Sequence, residues 1–452
     1  MGSVHAWTVQ HLTYPLWQKR TRGMVFAALE RLERSQWLGP DELRVQQWAR
    51  LQALLAHAAK HVPFYRKRFA AAGITPADIR SVDDLRLLPP LERAELRDRV
   101  HDLRAAGVGG RLVERRTSGS TGVPVVVWAT PEARDQWVAA TLRARRWWRV
   151  EPHDRRVTLM SRYEMTRERW LKQFLLANVI EFSAHDLSDA LLQDIRRRLR
   201  DPAVRGLIGY PSSLSYLARF VEAGRTPGLR AVFTTGEMLY PDQRALLRRV
   251  FRCPVVNEYG SAEVGHVAAE CPFGRWHIAV ENGLIEFDAM GEEIPHAGSI
   301  LVTDLTNYAM PLIRYRLGDL GSPGERCPCG RGLPVLRLAA GRVEDLVVLS
   351  DGRRVDAGIF SLVVDELERH GITVHQYHVV QHAVDRFEVL VVGAPGIDAA
   401  AADVTRALVR ALGARVAVTL RSVDAIPAER TGKRRRFISH VTDPSESVGI
   451  PS

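Results

Sequence analysis

The chain has 452 residues, 63 Lys+Arg against 52 Asp+Glu, and a formal charge of +11. Hydrophobic residues are 46% and charged residues 25%, which excludes disorder over most of the length and leaves ample core for several domains. No run of ~18 apolar residues exists, so no membrane span is expected, and the first twenty residues lack the apolar core and cleavage site of a signal peptide; a cytoplasmic protein is expected.

Residues 23–70 carry helical periodicity, with Pro63 interrupting it near the end. Residues 76–106 read as a short helix-loop-helix punctuated by Pro89-Pro90. From about residue 113, short apolar runs alternate with helices. Strands are expected at 125–128, 157–160, 206–209, 231–234 and from 255, with helices at 191–199, 212–223 and 242–250. This alternation predicts an α/β sheet. Hairpin strands follow at 283–287 and 299–303. A boundary is expected near 341–345. Beyond it the pattern is hairpin, helix (359–370), two strands (375–381, 387–392), helix (399–412) and strand (416–423), a self-contained α+β unit of ~100 residues.

The basic excess is almost all arginine. Lysine occurs only at Lys19, Lys60, Lys67, Lys172 and Lys433. The arginines are spread along the chain beside acids, as in Glu92-Arg93 and Glu95-Leu96-Arg97-Asp98-Arg99, the pattern of a solvated helix face. A nucleic-acid partner is therefore not expected, and a phosphorylated small molecule explains the same excess. Arg434, Arg435 and Arg436 read as a solvated basic patch.

The sharpest motif is Thr117-Ser118-Gly119-Ser120-Thr121-Gly122-Val123-Pro124. Glycines and small hydroxyl residues let a loop wrap phosphate oxygens with backbone N–H and hydroxyl donors. The GxxxxGK[ST] pattern does not fit, because no lysine follows Gly122. All four cysteines lie between Cys253 and Cys329, too few for a disulfide scaffold. Cys327-Pro328-Cys329-Gly330 can present two thiolates, and Cys271 with His277 supplies two more ligands, a closed tetrahedral zinc set. Cys253 is the substitute for His277, and unpaired cysteines in a polar loop are the competing reading.

The full 117–124 string, closed by proline before a strand, resembles the phosphate-binding loop of the adenylate-forming superfamily of acyl-CoA synthetases and adenylation domains. Further matches fall in order: Thr234-Thr235-Gly236-Glu237, Asn257-Glu258-Tyr259-Gly260-Ser261-Ala262-Glu263, Tyr315-Arg316-Leu317-Gly318-Asp319-Leu320, Gly341-Arg342-Val343-Glu344-Asp345, and Thr431-Gly432-Lys433. Ala262 stands where the YGxTE motif usually has threonine. The segment His61-Val62-Pro63-Phe64-Tyr65-Arg66 and the Cys-x-Cys-Gly of Cys327 to Gly330 resemble the phenylacetate–CoA ligase branch, which includes capsule-biosynthesis relatives. The match spans roughly residues 50 to 440.

The resemblance implies an α/β fold. A large multi-layered adenylating domain is expected at 1–344, with a helical lead-in to about residue 110. A small mobile α+β lid is expected at 345–452. It implies attack by a carboxylate on the α-phosphate of ATP, then transfer of the acyl group, in that branch usually to CoA. Glu263 would hold Mg²⁺, Tyr259 would pack on adenine with Gly236-Glu237 lining its site, and Asp319 would accept the ribose hydroxyls. Arg342 would support ribose or phosphate, Lys433 would bridge carboxylate and α-phosphate, and Asp345 would be the hinge. The acid would lie among Tyr163, Tyr210, Pro211, Gly260, Ser261 and His266. The implied partners are a small carboxylic acid, ATP and CoA, with structural Zn²⁺ and no membrane; a homodimer is left open. An amine, amino acid or carrier protein is the alternative acceptor. A basic zinc-containing nucleic-acid-binding protein is the remote alternative, disfavoured because the aromatic residues, 7% of the chain, are not interleaved with basic ones.

Overall fold

The computed structural model describes residues 7–13, 15–16, 23–116, 125–160, 178–185, 187–221, 223–289, 297–342, 346–393, 396–429 and 432–441. Among them no helix is long and apolar enough to cross a membrane.

The lead-in is helical: α1 (Val25–Ser35), α2 (Pro40–His61) and α3 (Pro63–Ala72). Leu51, Leu54, Leu55 and Ala58 bury one stripe of α2, the i, i+3, i+4, i+7 spacing of an amphipathic helix. Pro63 starts α3 as well as ending α2, because a missing N–H costs nothing at a first helical position. The expected helix-loop-helix at 76–106 is mostly short 3₁₀ turns, with one short helix, α4 (Arg93–Asp98). Asp78 and Asp84 each accept from backbone N–H groups three or four residues earlier, a local alternative to helix propagation, whereas Glu95 accepts from the Glu92 N–H as the capping box that starts α4.

Strands β1 (Val113–Arg116) and β2 (Val126–Ala129) form an antiparallel ladder with Arg116 opposite Val126. They bracket the 117–124 string, which lies outside the described residues. Helix α5 (Pro131–Arg146) follows, its first turn capped by the Thr130 hydroxyl on the Ala133 N–H. It packs Ala139, Ala140 and Leu142 against Val25, Ala28, Leu29 and Leu32 of α1.

The main sheet then begins with β3 (Arg155–Met160), β4 (Val179–Ser183), helix α6 (Asp189–Leu199), β5 (Val204–Gly209), helix α7 (Pro211–Ala218), β6 (Ala231–Thr235), helix α8 (Pro241–Phe251) and β7 (Val255–Ser261). These five strands are mutually parallel, in the order β4-β3-β5-β6-β7. All positions of β5 and β6 but Arg205 and Thr235 are buried, as expected of a parallel sheet covered on both faces. Helix α7 stops at Ala218, short of the expected residue 223. Its last amides turn to i−3 carbonyls (Arg219 to Tyr216, Phe220 to Leu217), a tightening that ends the helix.

The sheet continues antiparallel through β8 (Gly265–Glu270), β9 (Trp276–Ile278), β10 (Gly283–Ala289), β11 (Gly298–Asp304), β12 (Tyr315–Pro323) and β13 (Val335–Arg342). Its full order is β10-β11-β12-β13-β9-β8-β7-β6-β5-β3-β4. The expected junction falls largely on residues 343–345, outside the described residues, Asp345 included. On its far side, β14 (Leu346–Val348) pairs with β15 (Arg354–Asp356). After helix α9 (Ser361–Arg369) come β16 (Val374–Ala383), β17 (Arg386–Gly393), helix α10 (Ala401–Leu412), β18 (Ala417–Ser422) and β19 (Phe437–Ser439). These four strands form a second sheet, β18-β17-β16-β19, with its own core of Phe360, Phe387, Val389, Leu408 and Phe437.

Candidate active site

Parallel strands place their loops at the carboxyl edge, where open α/β sheets hold ligands. Here that edge opens into a cleft of about 580 Å³. Met160 ends β3, Tyr210 follows β5, Gly236-Glu237 follow β6 and Tyr259-Gly260-Ser261 close β7, and all of them line the cleft. Asp319 comes from β12, while Lys433 comes from the chain leading into β19. Residues 170 and more apart in sequence thus meet on one surface.

Tyr259 donates its phenol to Asp319 at 2.7 Å and meets the Trp276 ring edge-on at 6.4 Å. Arg342 ends β13 directly opposite Asp319 in the ladder. Glu263 is buried, with Arg93 (3.0 Å) and the Tyr315 hydroxyl (3.2 Å) both on its Oε1. Lys433 sits 5.6 Å from the Tyr210 ring centroid. Gly236, at φ +78°, leaves room for both: an added Cβ would stand 3.0 Å from the Tyr210 ring and 3.4 Å from the Lys433 Cε.

Glu237 is a junction between the two parts of the molecule. It accepts from the Ser212 amide and hydroxyl (both 3.0 Å) at the start of α7, and from the Arg434 amide at 3.0 Å. Burial pushes its carboxyl above the usual range, against the pull of Ser212, Arg434 and Lys433. Pro211 occupies the first position of α7, turning Ser212 toward this carboxylate.

His266 lies on β8 opposite Gly260, is 9% exposed, and lines the cleft facing α5. Burial drives its imidazole down to about 4, so the ring is neutral near pH 7. Tyr163 and residues Thr117, Ser118, Gly119, Ser120, Thr121 and Gly122 lie outside the described residues.

Two sequence expectations are corrected. Arg93 is not on a solvated face: it reaches 170 positions along the chain to Glu263, and Arg115 also enters the cleft, over the Trp137 ring at 4.8 Å. Nor is 434–436 a solvated patch. Arg436 makes a two-pronged pair with Asp242 at 2.9 and 2.8 Å, with Tyr377 at 4.6 Å and Tyr240 at 5.0 Å from its guanidinium carbon. Arg435 pairs with Glu429 at 2.9 Å, and the Arg434 side chain donates to the Ala184 carbonyl at 3.1 Å. Of the other lysines, Lys60 and Lys67 are exposed, and Lys19 and Lys172 lie outside the described residues.

The cysteine cluster lies behind this surface. The β9–β13 ladder sets His277 opposite Val335 and so brings the two halves together. Ligating atoms of Cys271, His277, Cys327 and Cys329 all lie within 4.8 Å of one another. The Cys271 and Cys327 sulfurs are 3.6 Å apart, and His277 Nε2 is 3.2 Å from the Cys329 sulfur. His277 Nδ1 is 3.0 Å from the Leu333 carbonyl, which turns Nε2 toward the sulfurs. Cys253 lies half-buried outside this group, beside Val232, and desolvation pushes its thiol up to about 12.

No family model matches the chain. A phenylacetate–coenzyme A ligase of Escherichia coli (strain K12) is 28% identical over 331 residues, 68% of this chain and 73% of the relative. The chain is similar to the phenylacetate–coenzyme A ligases. The ligase of that name from Thermus thermophilus is also 28% identical, over 327 residues, 68% of this chain and 72% of the relative. Protein CapK of Staphylococcus aureus is 23% identical over 279 residues, 60% of this chain and 61% of that one. Among solved structures, 2-hydroxyisobutyryl-CoA ligase in its postadenylation state superposes with a TM-score of 0.72 at 20% identity, covering 91% of this chain and 92% of that one. The same ligase in its thioesterification state gives 0.59 at 21% identity, covering 90% and 91%. The chain therefore has the fold of the adenylate-forming enzymes.

Proposed function

We propose that the protein activates a carboxylic acid with ATP, forming an acyl-adenylate and pyrophosphate, and then passes the acyl group to the thiol of CoA. The observation that carries the reading is convergence: Lys433, Glu237, Glu263, Tyr259 and Asp319 come from four separate segments and line one cleft at the carboxyl edge of the parallel strands. Two of the relatives are named as ligases of phenylacetate and coenzyme A, which supports the reading.

Charge builds on the α-phosphoryl oxygens as the carboxylate attacks, so the chain's task is positioning and electrostatic stabilisation. Lys433 supplies a compact positive charge on a flexible stem, suited to bridging two anions. Asp319 receives the ribose hydroxyls, with Tyr259 holding the carboxylate in place and packing beside the adenine. Arg342 supports the ribose or phosphates, Gly236 and Glu237 border the adenine, and the 117–122 loop wraps the phosphates. Glu263 fits Mg²⁺, a hard cation that takes carboxylate oxygens, and Arg93 and Tyr315 hold that carboxylate through the other oxygen. Magnesium neutralises phosphate charge when bound. The acid lies among Tyr163, Tyr210, Pro211, Gly260, Ser261 and His266.

Residues 1–344 form the adenylating body and 345–452 a lid that turns about Asp345 between the two half-reactions. The Lys433-inward geometry and the higher TM-score with the postadenylation arrangement support assigning this structure to the first half-reaction. Cys271, His277, Cys327 and Cys329 fit a structural Zn²⁺: a Zn–S bond near 2.3 Å sets tetrahedral sulfurs ~3.8 Å apart, close to the 3.6 Å of Cys271 and Cys327. Zinc there ties the β8–β9 turn to the loop before β13.

The test is pyrophosphate release from ATP with a panel of aryl and alkyl acids, with and without CoA. Acid-dependent release with CoA consumed one to one is expected. No acid-dependent release sinks the proposal. Turnover with an amine in place of CoA replaces the acceptor, an outcome compatible with the fold, since an acyl acid amido synthetase superposes with a TM-score of 0.61 over 93% of this chain at 13% identity.

A further inference from the structure

The acyl end of the cleft contains an imidazole with no work to do in the apo protein. His266 is more than nine-tenths buried and lines the cleft, yet none of the described residues hydrogen-bonds to it. Arg145 on α5 is committed to Glu258 by two bonds of 2.8 and 2.9 Å. Behind it, Arg143 pairs with Glu281 at 2.6 Å. The Thr141 hydroxyl donates to the Trp137 carbonyl at 3.1 Å.

The wall facing His266 is the cleft side of α5: Trp137, Val138, Thr141 and Arg145, spaced by three and four. Trp137 packs against Gly265, where a Cβ would stand 2.4 Å from the indole, so the wall is pressed close to β8. This wall adjoins the nucleotide end, since Gly260, opposite His266, follows Tyr259, which donates to Asp319.

A neutral imidazole that no described residue hydrogen-bonds keeps one donor and one acceptor nitrogen for a ligand entering the cleft. The ring carries no charge near neutral pH. Of the nearby cations, Arg145 is neutralised by Glu258, Arg143 by Glu281, and Arg115, over the Trp137 ring, faces the carboxylates of Glu263 and Asp304.

We infer that His266 selects the acid: the preferred substrate has an apolar or aryl body bearing one neutral hydrogen-bonding substituent, such as a hydroxyl, that pairs with the His266 ring. This rests on the carboxylate-activation reading, since it names the acid of that same cleft.

The experiment pairs phenylacetate with its hydroxyphenylacetate isomers, and benzoate with its hydroxybenzoates. Each acid is measured twice: kcat/KM for pyrophosphate release, and calorimetric binding in the presence of AMP. Wild type should favour one hydroxylated member over its parent by about 10-fold or more. His266→Leu should erase that preference by lowering only the hydroxylated acid, while His266→Gln, which keeps a hydrogen-bonding group, restores part of it. Equal wild-type ratios within every pair, or an unchanged ratio in folded His266→Leu, overturns the assignment. A binding preference lost in His266→Leu, without pyrophosphate release from any acid, upholds His266 and refutes carboxylate activation instead.

Discussion

Asp242→Asn isolates the contact that holds the C-terminal segment over the cleft. Asp242 lies in the first turn of α8, and Arg436 lies three residues after Lys433 on the chain entering β19. Their side chains are only 18% and 16% exposed, so solvent screens the pair weakly. The substitution keeps the shape but removes the charge and one of two charge-assisted bonds, and leaves Arg436 between Tyr240 and Tyr377 without its counter-ion. Hydrogen bonds to charged groups contribute ~1.5–3 kcal/mol, and stripping one partner from a buried pair costs ~3–5 kcal/mol; partial exposure brings the expectation to about 2–4 kcal/mol. If the pair exists only while Lys433 faces the cleft, the closed arrangement loses a factor of about 30 to 1,000. The two half-reactions separate the effect. Acyl-adenylate formation, followed by quenched flow, should slow by about 30-fold or more. Thioester formation from supplied acyl-adenylate and CoA should hold or rise. An equal fall in both rates would point to a general folding defect and refute the reasoning, as would no change in either.

Protein purified without added metal should contain one zinc per chain, and Cys329→Ser should lose it and lower Tm by about 5 °C or more; a metal-free, equally stable wild type contradicts the site. Burial carries the Asp304 carboxyl up to about 6, against an ordinary 3.8. The folded state therefore takes up this proton first, so the Asp304 contribution favours folding more at pH 5 than at pH 7, by about 1 kcal/mol. Denaturant titration of wild type and Asp304→Asn at both pH values should show that difference in wild type alone; identical pH responses rule it out.

The parts of the site that sequence reveals are those whose chemistry is local. Thr234–Glu237 and Asn257–Glu263 each sit at a strand end, because a strand followed by small and polar residues specifies both the element and its termination, while Tyr315–Leu320 opens β12. The cysteine cluster was legible as a ligand set, while its assembly needed the β9–β13 register. Arg93 and Arg436 were missed for a shared reason. Their partners, Glu263 and Asp242, lie 170 and 194 positions away, and one arginine among 58 carries no signal of a distant carboxylate. The helix expected to reach residue 223 stops at Ala218, because hydrophobic spacing persists past the point where the backbone tightens.

Lys433→Ala tests the central claim most directly, because among the described residues this is the one lysine side chain lining the cleft, 5.6 Å from the Tyr210 ring centroid. Single-turnover acyl-adenylate formation should fall by at least ~100-fold, while ATP binding and thioester formation from supplied acyl-adenylate persist. An adenylation rate equal to wild type would contradict the account.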